Sequence, residues 1–425
     1  MLGPRFPARS NRRDILEAAE GFVRAAPDSP EAWYGLGDYL FHYGGLLGIE
    51  DAFPRASAAF GRALALDSSF APALEHGPVL AFELGDTVEL RRAVGRFLAV
   101  DSTSARAAEC RWYLAAALGD TVAPQAALRD DSLPAQAFAF LIVSLNQGIG
   151  TGQVRHLIER ARRAAITEGP LLDDEMYDLL QFIGRPLQAR AFLASEPAKY
   201  RNLNAVSVGL FGDGDSATMA ESATALAREL GSPLRATDET AVNNRYLVGQ
   251  YALAQGRLVD VRQAIADLRA SPIRAESAWA AIPTRDYALI LEAQLAARQA
   301  SPDAGRLLAE LDSTLLTAPE GPSLPGNLVA ARLHEQRGEL SAALAAVRRR
   351  LFGLNPWPEN VTYVREEGRL ADLTGDRAGA ARAYRRYLAI RIDPEPRLRA
   401  QVAQVRADMT ALGRATEGGP AAPQP

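Results

Sequence analysis

The sequence is poor in the residues that carry most covalent chemistry. Lys199 is the only lysine among 47 basic residues, and Cys110 is the only cysteine. A single cysteine excludes an intramolecular disulfide and a zinc site built from cysteines. Lys199 lies in neither a G-x4-G-K-S/T phosphate loop nor a segment that suggests a Schiff-base pocket. We therefore expect no catalytic residue and no cofactor, and we predict that the chain is not an enzyme.

Histidine is also scarce, and the four histidines are isolated from one another in the sequence: His42, His76, His156 and His334. None belongs to an H-E-x-x-H pattern or to another metal-ligand spacing. We interpret each as structural or exposed, so the sequence predicts no metal site. Asp213-Gly-Asp215 resembles the start of a calcium loop, but Thr224 stands where such a loop needs a glutamate. A helix cap explains this segment better.

Long hydrophobic runs are missing from the sequence. The most apolar run, residues 135–145, is about half as long as the roughly 20 residues that a membrane-spanning helix needs. The first ten residues lack the apolar stretch of a signal peptide. We therefore predict a cytoplasmic protein without membrane insertion.

Neither sign of charge dominates, since the formal net charge is -4 and the pI is about 5.8. A mildly acidic chain with dispersed arginines is a poor electrostatic binder of DNA or RNA, so we expect no nucleic-acid partner. The longest arginine run is Arg348-Arg349-Arg350. We interpret this run as part of a solvent-exposed helix face.

The composition and periodicity are those of an all-α protein. Hydrophobic residues make up 48% of the chain, and long alternating runs of Val, Ile and Thr are missing. Residues 33–40 have the spacing W-x2-L-G-x2-L, and the spacing A-x3-F follows at 56–60. Small residues in such a pattern let two helices approach closely. We expect Gly37 to lie too close to the partner helix for a side chain.

This pattern resembles the two helices of a tetratricopeptide (TPR) repeat. Gly85-Asp86 and Gly119-Asp120 are 34 residues apart, which is the TPR period. Later glycine-containing turns recur at longer spacings, which indicates degenerate or lengthened helical hairpins. The insertion at 44–54 makes the turn of the first full pair about seven residues longer than in the TPR family.

The TPR resemblance implies an all-α, right-handed α-solenoid of helix pairs. We expect disordered ends at 1–11 and 413–425 and a TPR-like solenoid between them, over 12–412. Within the solenoid we expect a leading half-pair at 12–26 and a capping helix at 397–412.

Several segments also resemble the C-terminal repeat regions of bacterial serine/threonine protein kinases, adenylate cyclases and transcriptional activators. They are residues 53–74, 85–102 and 375–399. The chain has no Gly-rich loop, no V-A-I-K lysine, no H-R-D loop and no D-F-G, so it contains no kinase domain. This resemblance implies a bacterial signalling protein.

Two functions are compatible with these patterns. The first is a protein-interaction scaffold that binds a peptide or a partner domain in the concave groove of the solenoid. The second is the separated sensory or regulatory half of a bacterial signalling protein that lacks its catalytic domain. For the first function we predict groove side chains that point away from the helix–helix core: Tyr34, Asp38, Tyr246, Gln250, Arg365 and Arg369.

Among these side chains, Arg365 offers the most specific chemistry. Its planar guanidinium could bind a partner carboxylate through two hydrogen bonds, which lysine cannot copy. The insertion at 44–54 is an alternative binding surface. The sequence leaves the identity of the partner and the oligomeric state open.

Overall fold

The computed structural model describes residues 12–118, 180–190, 198–230, 239–270, 284–316, 320–350, 358–391 and 394–417. All regular structure within these ranges is helical, which confirms the predicted all-α class. The predicted turns at 119 and 148–152, His156, and residues 1–11 and 418–425 of the predicted disordered ends lie outside the described residues.

The N-terminal helices follow the predicted hairpins closely. Their bounds are α1 Arg12–Ala25, α2 Pro30–Tyr43, α3 Ala52–Leu66, α4 Ala71–Glu83, α5 Thr87–Val100 and α6 Ala105–Ala117.

The helices of the later ranges are numbered on from there. They are α7 Pro186–Ala189, α8 Ala198–Phe211, α9 Ser216–Glu229, α10 Glu239–Ala254, α11 Leu258–Ala270, α12 Thr284–Arg298, α13 Ala304–Leu315, α14 Glu320–Gln336, α15 Leu340–Arg348, α16 Pro358–Leu373, α17 Arg377–Ile390 and α18 Arg399–Glu417.

Each helix packs mainly against the helices that precede and follow it in the chain. From α8 onward the first helices of successive pairs also touch one another, α8 with α10, α10 with α12, and α12 with α14. Helix pairs that stack in the order of the chain form a solenoid. In this chain α8 also touches α16, so pairs distant in the sequence meet as well. We call the surface formed by α8, α10, α12, α14 and α16 the first-helix face.

The recurring Gly-Asp dipeptide lies at the turn between the two helices of a pair. Gly85 and Gly375 adopt left-handed backbone angles, with φ of +70° and +83°, which a residue without a Cβ takes at little cost. The next residue, Asp86 or Asp376, then accepts hydrogen bonds from the first backbone N–H groups of α5 or α17. Asp215 caps α9 in the same way, as the helix-cap interpretation predicts.

Helix α2 approaches α3 closely at Gly37. A Cβ placed there would lie 2.8 Å from the Phe60 ring, so the position has no room for a side chain, as predicted. Phe60 is 2% exposed, and Ala56 and Ala63 are completely buried beside it. The TPR-like spacing therefore encodes the packing of this pair.

The 44–54 insertion is more than a local loop. Leu46 is fully buried, and a Cβ on Gly45 would collide with the carbonyl oxygen of Arg350. Glu50 lies 4.0 Å from Arg348. The loop between α2 and α3 thus packs on residues 348–350, far along the chain.

The prediction that Arg348, Arg349 and Arg350 lie on a solvent-exposed face is wrong. Their side chains are only 27%, 11% and 20% exposed. Arg349 pairs with Asp312 at 2.5 Å, and Arg350 pairs with Glu367 at 2.5 Å. The cause is that α15 ends between neighbouring pairs, where carboxylates from α13 and α16 compensate each charge.

The C-terminal helix differs slightly from its predicted bounds. Pro396–Leu398 forms a 3₁₀ turn, and α18 begins at Arg399 and continues to Glu417. The prediction of a disordered end is therefore wrong for residues 413–417. Its apolar side chains Val402, Val405 and Leu412 are buried, as a capping helix requires. Among the described helices, none combines the length and the apolar character needed to cross a membrane.

Candidate functional site

A groove of about 320 Å³ opens on the first-helix face. Four successive first helices line it, and we call it the α8–α14 groove. Its lining includes Leu210, Phe211, Gln250, Leu253, Gln294, Arg298, Val329, Arg332, Leu333 and Gln336.

The α8–α14 groove has an apolar floor and a polar rim. Leu253 and Leu333 are buried in the floor, whereas Arg298, Arg332 and Gln336 are exposed at the rim. Among the described residues, no carboxylate lies within the 4.0 Å ion-pair distance of Arg298 or Arg332. Two guanidinium groups above an apolar floor are suited to a ligand that has both carboxylate and apolar groups.

The prediction that Tyr246 points away from the helix–helix core is wrong. Tyr246 is 2% exposed, and its ring centroid lies 4.6 Å from that of Tyr287 and 6.5 Å from that of Phe211. Burial raises the pKa of its hydroxyl well above the usual value. Tyr246 lies between neighbouring first helices, so it is a packing residue.

Gln250 is 4% exposed, so the prediction of an outward side chain is wrong for this residue too. Its amide nitrogen donates to the Tyr246 hydroxyl at 3.0 Å and to Gln294 Oε1 at 2.6 Å. This pair of hydrogen bonds forms part of the groove wall. Gln250 therefore contributes to the groove by orienting Gln294.

Arg365 and Arg369 on α16 are already engaged within the chain. Arg369 forms two hydrogen bonds of 2.6 Å to Glu335, and these bonds raise the pKa of its guanidinium. Arg365 lies 3.5 Å from Asp213 and 3.4 Å from Glu366. The expectation that the Arg365 fork awaits a partner carboxylate is therefore wrong, because carboxylates of this chain are close to both arginines.

Tyr34 packs on the second helix of its pair rather than pointing freely outward. Its ring centroid lies 5.8 Å from that of Phe60 and 5.6 Å from that of Phe70. Its hydroxyl lies 3.4 Å from Asp38 Oδ1. Burial, together with the Asp38 carboxylate, raises the pKa of Tyr34 to about 12. Asp38 itself is partly exposed.

His42 and His76, which are far apart in the sequence, lie close together in the fold. Their ring centroids lie 5.9 Å apart, and each Nε2 is 3.5 Å from Asp38 Oδ1. Asp38 and His42 are one turn apart on α2, and His76 comes from the next first helix, α4. Burial lowers the pKa of His76. The three side chains form one cluster, which we call the Asp38 cluster.

His334 is structural, in agreement with its interpretation from the sequence. Its Nε2 contacts Asp312, and its Nδ1 lies 2.7 Å from Glu339. These hydrogen bonds, that to Asp312 above all, raise the pKa of the imidazole. With a carboxylate on each ring nitrogen, His334 links α13, α14 and the start of α15.

Sequence reasoning missed Arg298 and Arg332. The two arginines occupy successive first helices, but the turns that follow these helices, at Ala300 and Gly338, are 38 residues apart rather than the 34 of the TPR period. Arg298 therefore corresponds in position to Gln336, and Arg332 corresponds to Gln294. Because the length of each turn decides this register, no fixed spacing in the sequence indicates the two arginines.

No protein-family model and no curated protein matches the chain in sequence. Among solved structures, the chain is similar to the TPR domain of P58(IPK), with 13% identity, 97% of this chain and 95% of that chain covered, and a TM-score of 0.24. The chain is also similar to the Cut9–Hcn1 heterotetramer of the APC/C, with 14% identity, 96% of this chain and 81% of that chain covered, and a TM-score of 0.37.

Yeast Tom70 gives 11% identity, coverage of 96% of this chain and 93% of that chain, and a TM-score of 0.30. The helices of this chain and the order in which they pack define an all-α solenoid.

Proposed function

We propose that the chain is a non-catalytic protein-interaction scaffold whose α8–α14 groove, on the concave face of a TPR-like solenoid, binds an extended peptide or a segment of a partner domain. The observation that carries the proposal is the groove itself, which four successive first helices build together. An extended surface made by repeats suits an extended ligand, which contacts several units at once.

The chemistry of the groove defines the ligand further. Arg298 and Arg332 are exposed and have no carboxylate of the described residues within ion-pair distance. Partial burial lowers the pKa of the Arg332 guanidinium, and Glu366 acts on it from beyond ion-pair distance. Both arginines can still donate hydrogen bonds to an acidic group. Leu253 and Leu333 below them provide an apolar floor. We infer a ligand segment that presents a carboxylate beside an apolar side chain.

The experiment starts from peptides selected by display against the intact chain, and it measures their affinity by calorimetry. Arg332→Ala should weaken binding by about five- to thirtyfold, which corresponds to the loss of 1–2 kcal/mol at an interface anchor. Thermal melts should show unchanged folding, because the side chain is exposed.

Arg262→Ala is the matched control. Arg262 is an exposed arginine on the second helix α11, outside the groove. Its replacement should change the affinity by less than about twofold, since a solvated charge away from the contact contributes little. Equal losses in both variants would show that the selected peptides bind through general charge attraction, and the proposed groove would be wrong.

A further inference from the structure

Two donor-atom separations in the Asp38 cluster match those of a metal site. Each histidine Nε2 lies 3.5 Å from Asp38 Oδ1, and the three donor atoms all lie within 4.8 Å of one another. A good hydrogen bond between such groups is shorter, about 2.7–3.2 Å. Tetrahedral zinc, with ligand bonds of about 2.0–2.2 Å, separates its ligand atoms by about 3.3–3.5 Å.

The hydrogen bonding of His76 fixes which nitrogen faces the cluster. Its Nδ1 lies 2.9 Å from the Pro72 carbonyl oxygen, which can only accept, so Nδ1 carries the proton. In the neutral ring, Nε2 then presents a lone pair toward Asp38. Two acceptors face each other at 3.5 Å, and a cation between them would bond to both. A backbone carbonyl on the second ring nitrogen is the usual partner of a metal-binding histidine.

Aromatic packing holds the His76 ring in this orientation. Phe60 stacks on it with centroids 4.9 Å apart, and Phe41 meets it edge-on at 5.2 Å. The backbone of α2 fixes Asp38 and His42 one turn apart. A site with such supports loses little freedom when an ion binds.

The exposure of the cluster leaves a route for the ion. The side chain of His76 is 14% exposed, that of Asp38 is 38% exposed and that of His42 is 51% exposed. An ion can enter from the His42 side, and one coordination position would remain open to water. Two imidazoles and one carboxylate suit zinc, whereas calcium and magnesium prefer oxygen ligands alone.

We propose that Asp38, His42 and His76 bind one divalent transition-metal ion of the zinc class through Oδ1 and the two Nε2 atoms. The inference concerns a different part of the chain from the α8–α14 groove and does not depend on the function of that groove.

Calorimetric titration of the intact, tag-free and metal-free chain with Zn²⁺ tests the proposal. We expect one saturable site that His42→Asn weakens by at least about tenfold, since even outer-shell partners of metal ligands contribute 10- to 100-fold in affinity. His42 is half exposed, so this variant should fold normally, as circular dichroism would check. Titration with Co²⁺ should give the visible absorption of a four-coordinate site.

His334→Gln is the control, because both nitrogens of His334 already contact carboxylates. It should retain the full zinc affinity of the parent. His76→Gln should also lose binding, but it removes a buried ring, so the His42 variant decides. An absence of saturable binding by the parent, or equal affinity of the parent and His42→Asn, would overturn the proposal.

Discussion

The α2–α4 unit and the segment from α14 to α17 share the helical hairpin and an apolar interior, but they differ in the contacts around that interior. In α2–α4, aromatic rings lie within 6 Å of one another, as Tyr34, Phe60 and His76 show. From α14 to α17, arginines meet carboxylates of neighbouring pairs, as Arg369 meets Glu335 at 2.6 Å. One backbone geometry is therefore compatible with two kinds of contact between helices, aromatic packing and ion pairs.

Aromatic packing and buried ion pairs should respond differently to substitution. Close-packed rings tolerate little change of volume, because an interior packed to crystal density has no room for added atoms. A buried guanidinium tolerates the loss of its partner poorly, because it is left as an uncompensated charge. Changes in volume and changes in charge therefore separate the two regions experimentally.

The largest effect on stability is expected at the buried ion pair of Arg391, directly after α17. Arg391 has a side chain that is 1% exposed and pairs with Asp213 at 2.6 Å. Asp213→Ala should lower the free energy of unfolding by about 3–5 kcal/mol, because it removes the carboxylate partner of this buried charge. The carbonyl oxygens of Gln181 and Phe182 would remain as its acceptors. Urea denaturation followed by circular dichroism measures the change.

Asp303→Ala is the control for this comparison. Asp303 pairs with Arg306 at 3.3 Å, but both side chains are more than half exposed. Its loss should cost less than about 1 kcal/mol. If the Asp213 and Asp303 variants unfolded at the same urea concentration, the burial of Arg391 would not explain the contribution of its ion pair to stability.

The next effect concerns volume in the aromatic unit. Gly37→Ala should cost about 1–3 kcal/mol, because the new Cβ would lie 2.8 Å from the Phe60 ring. Gly35→Ala on the same helix meets no atom within 4 Å. It should stabilise the chain by up to about 1 kcal/mol through helix propensity. Thermal melts that move in the same direction for both variants would contradict the packing described for α2 and α3.

The smallest effect is a pH dependence at His334. Hydrogen bonds to Asp312 and Glu339 raise its pKa in the folded chain. The stabilisation is therefore fully present below the unfolded pKa of about 6.5 and is lost as the pH rises through the higher folded value. The melting temperatures of the parent and His334→Gln should differ more at about pH 5.5 than at about pH 8.5. A difference that grows toward alkaline pH would contradict this pairing.

Local features of the fold could be predicted from the sequence. The close approach at Gly37 and the turn at Gly375-Asp376 depend on residues near in sequence or in the adjacent helix. Close helix packing, helix caps and left-handed turns each involve residues of a single helical hairpin, so a repeat pattern in the sequence predicts them.

The contacts between distant pairs could not be predicted in the same way. Arg391 and Asp213 are 178 residues apart, and His76 reaches Asp38 across an insertion of unpredictable shape. Such contacts depend on how each pair is rotated on the next, which the insertion and the lengthened turns alter. The same reason explains why Tyr246, placed outward by its position in one repeat, is buried against the next first helix.

Site-specific photo-crosslinking tests the central proposal, binding in the α8–α14 groove, most directly. A photoreactive phenylalanine analogue in place of the exposed groove residue Gln336 should crosslink to a display-selected peptide that binds the parent. The same analogue in place of Gln263, exposed on the second helix α11, should not. Crosslinking from the Gln263 position alone, or equally from both positions, would contradict binding in the groove.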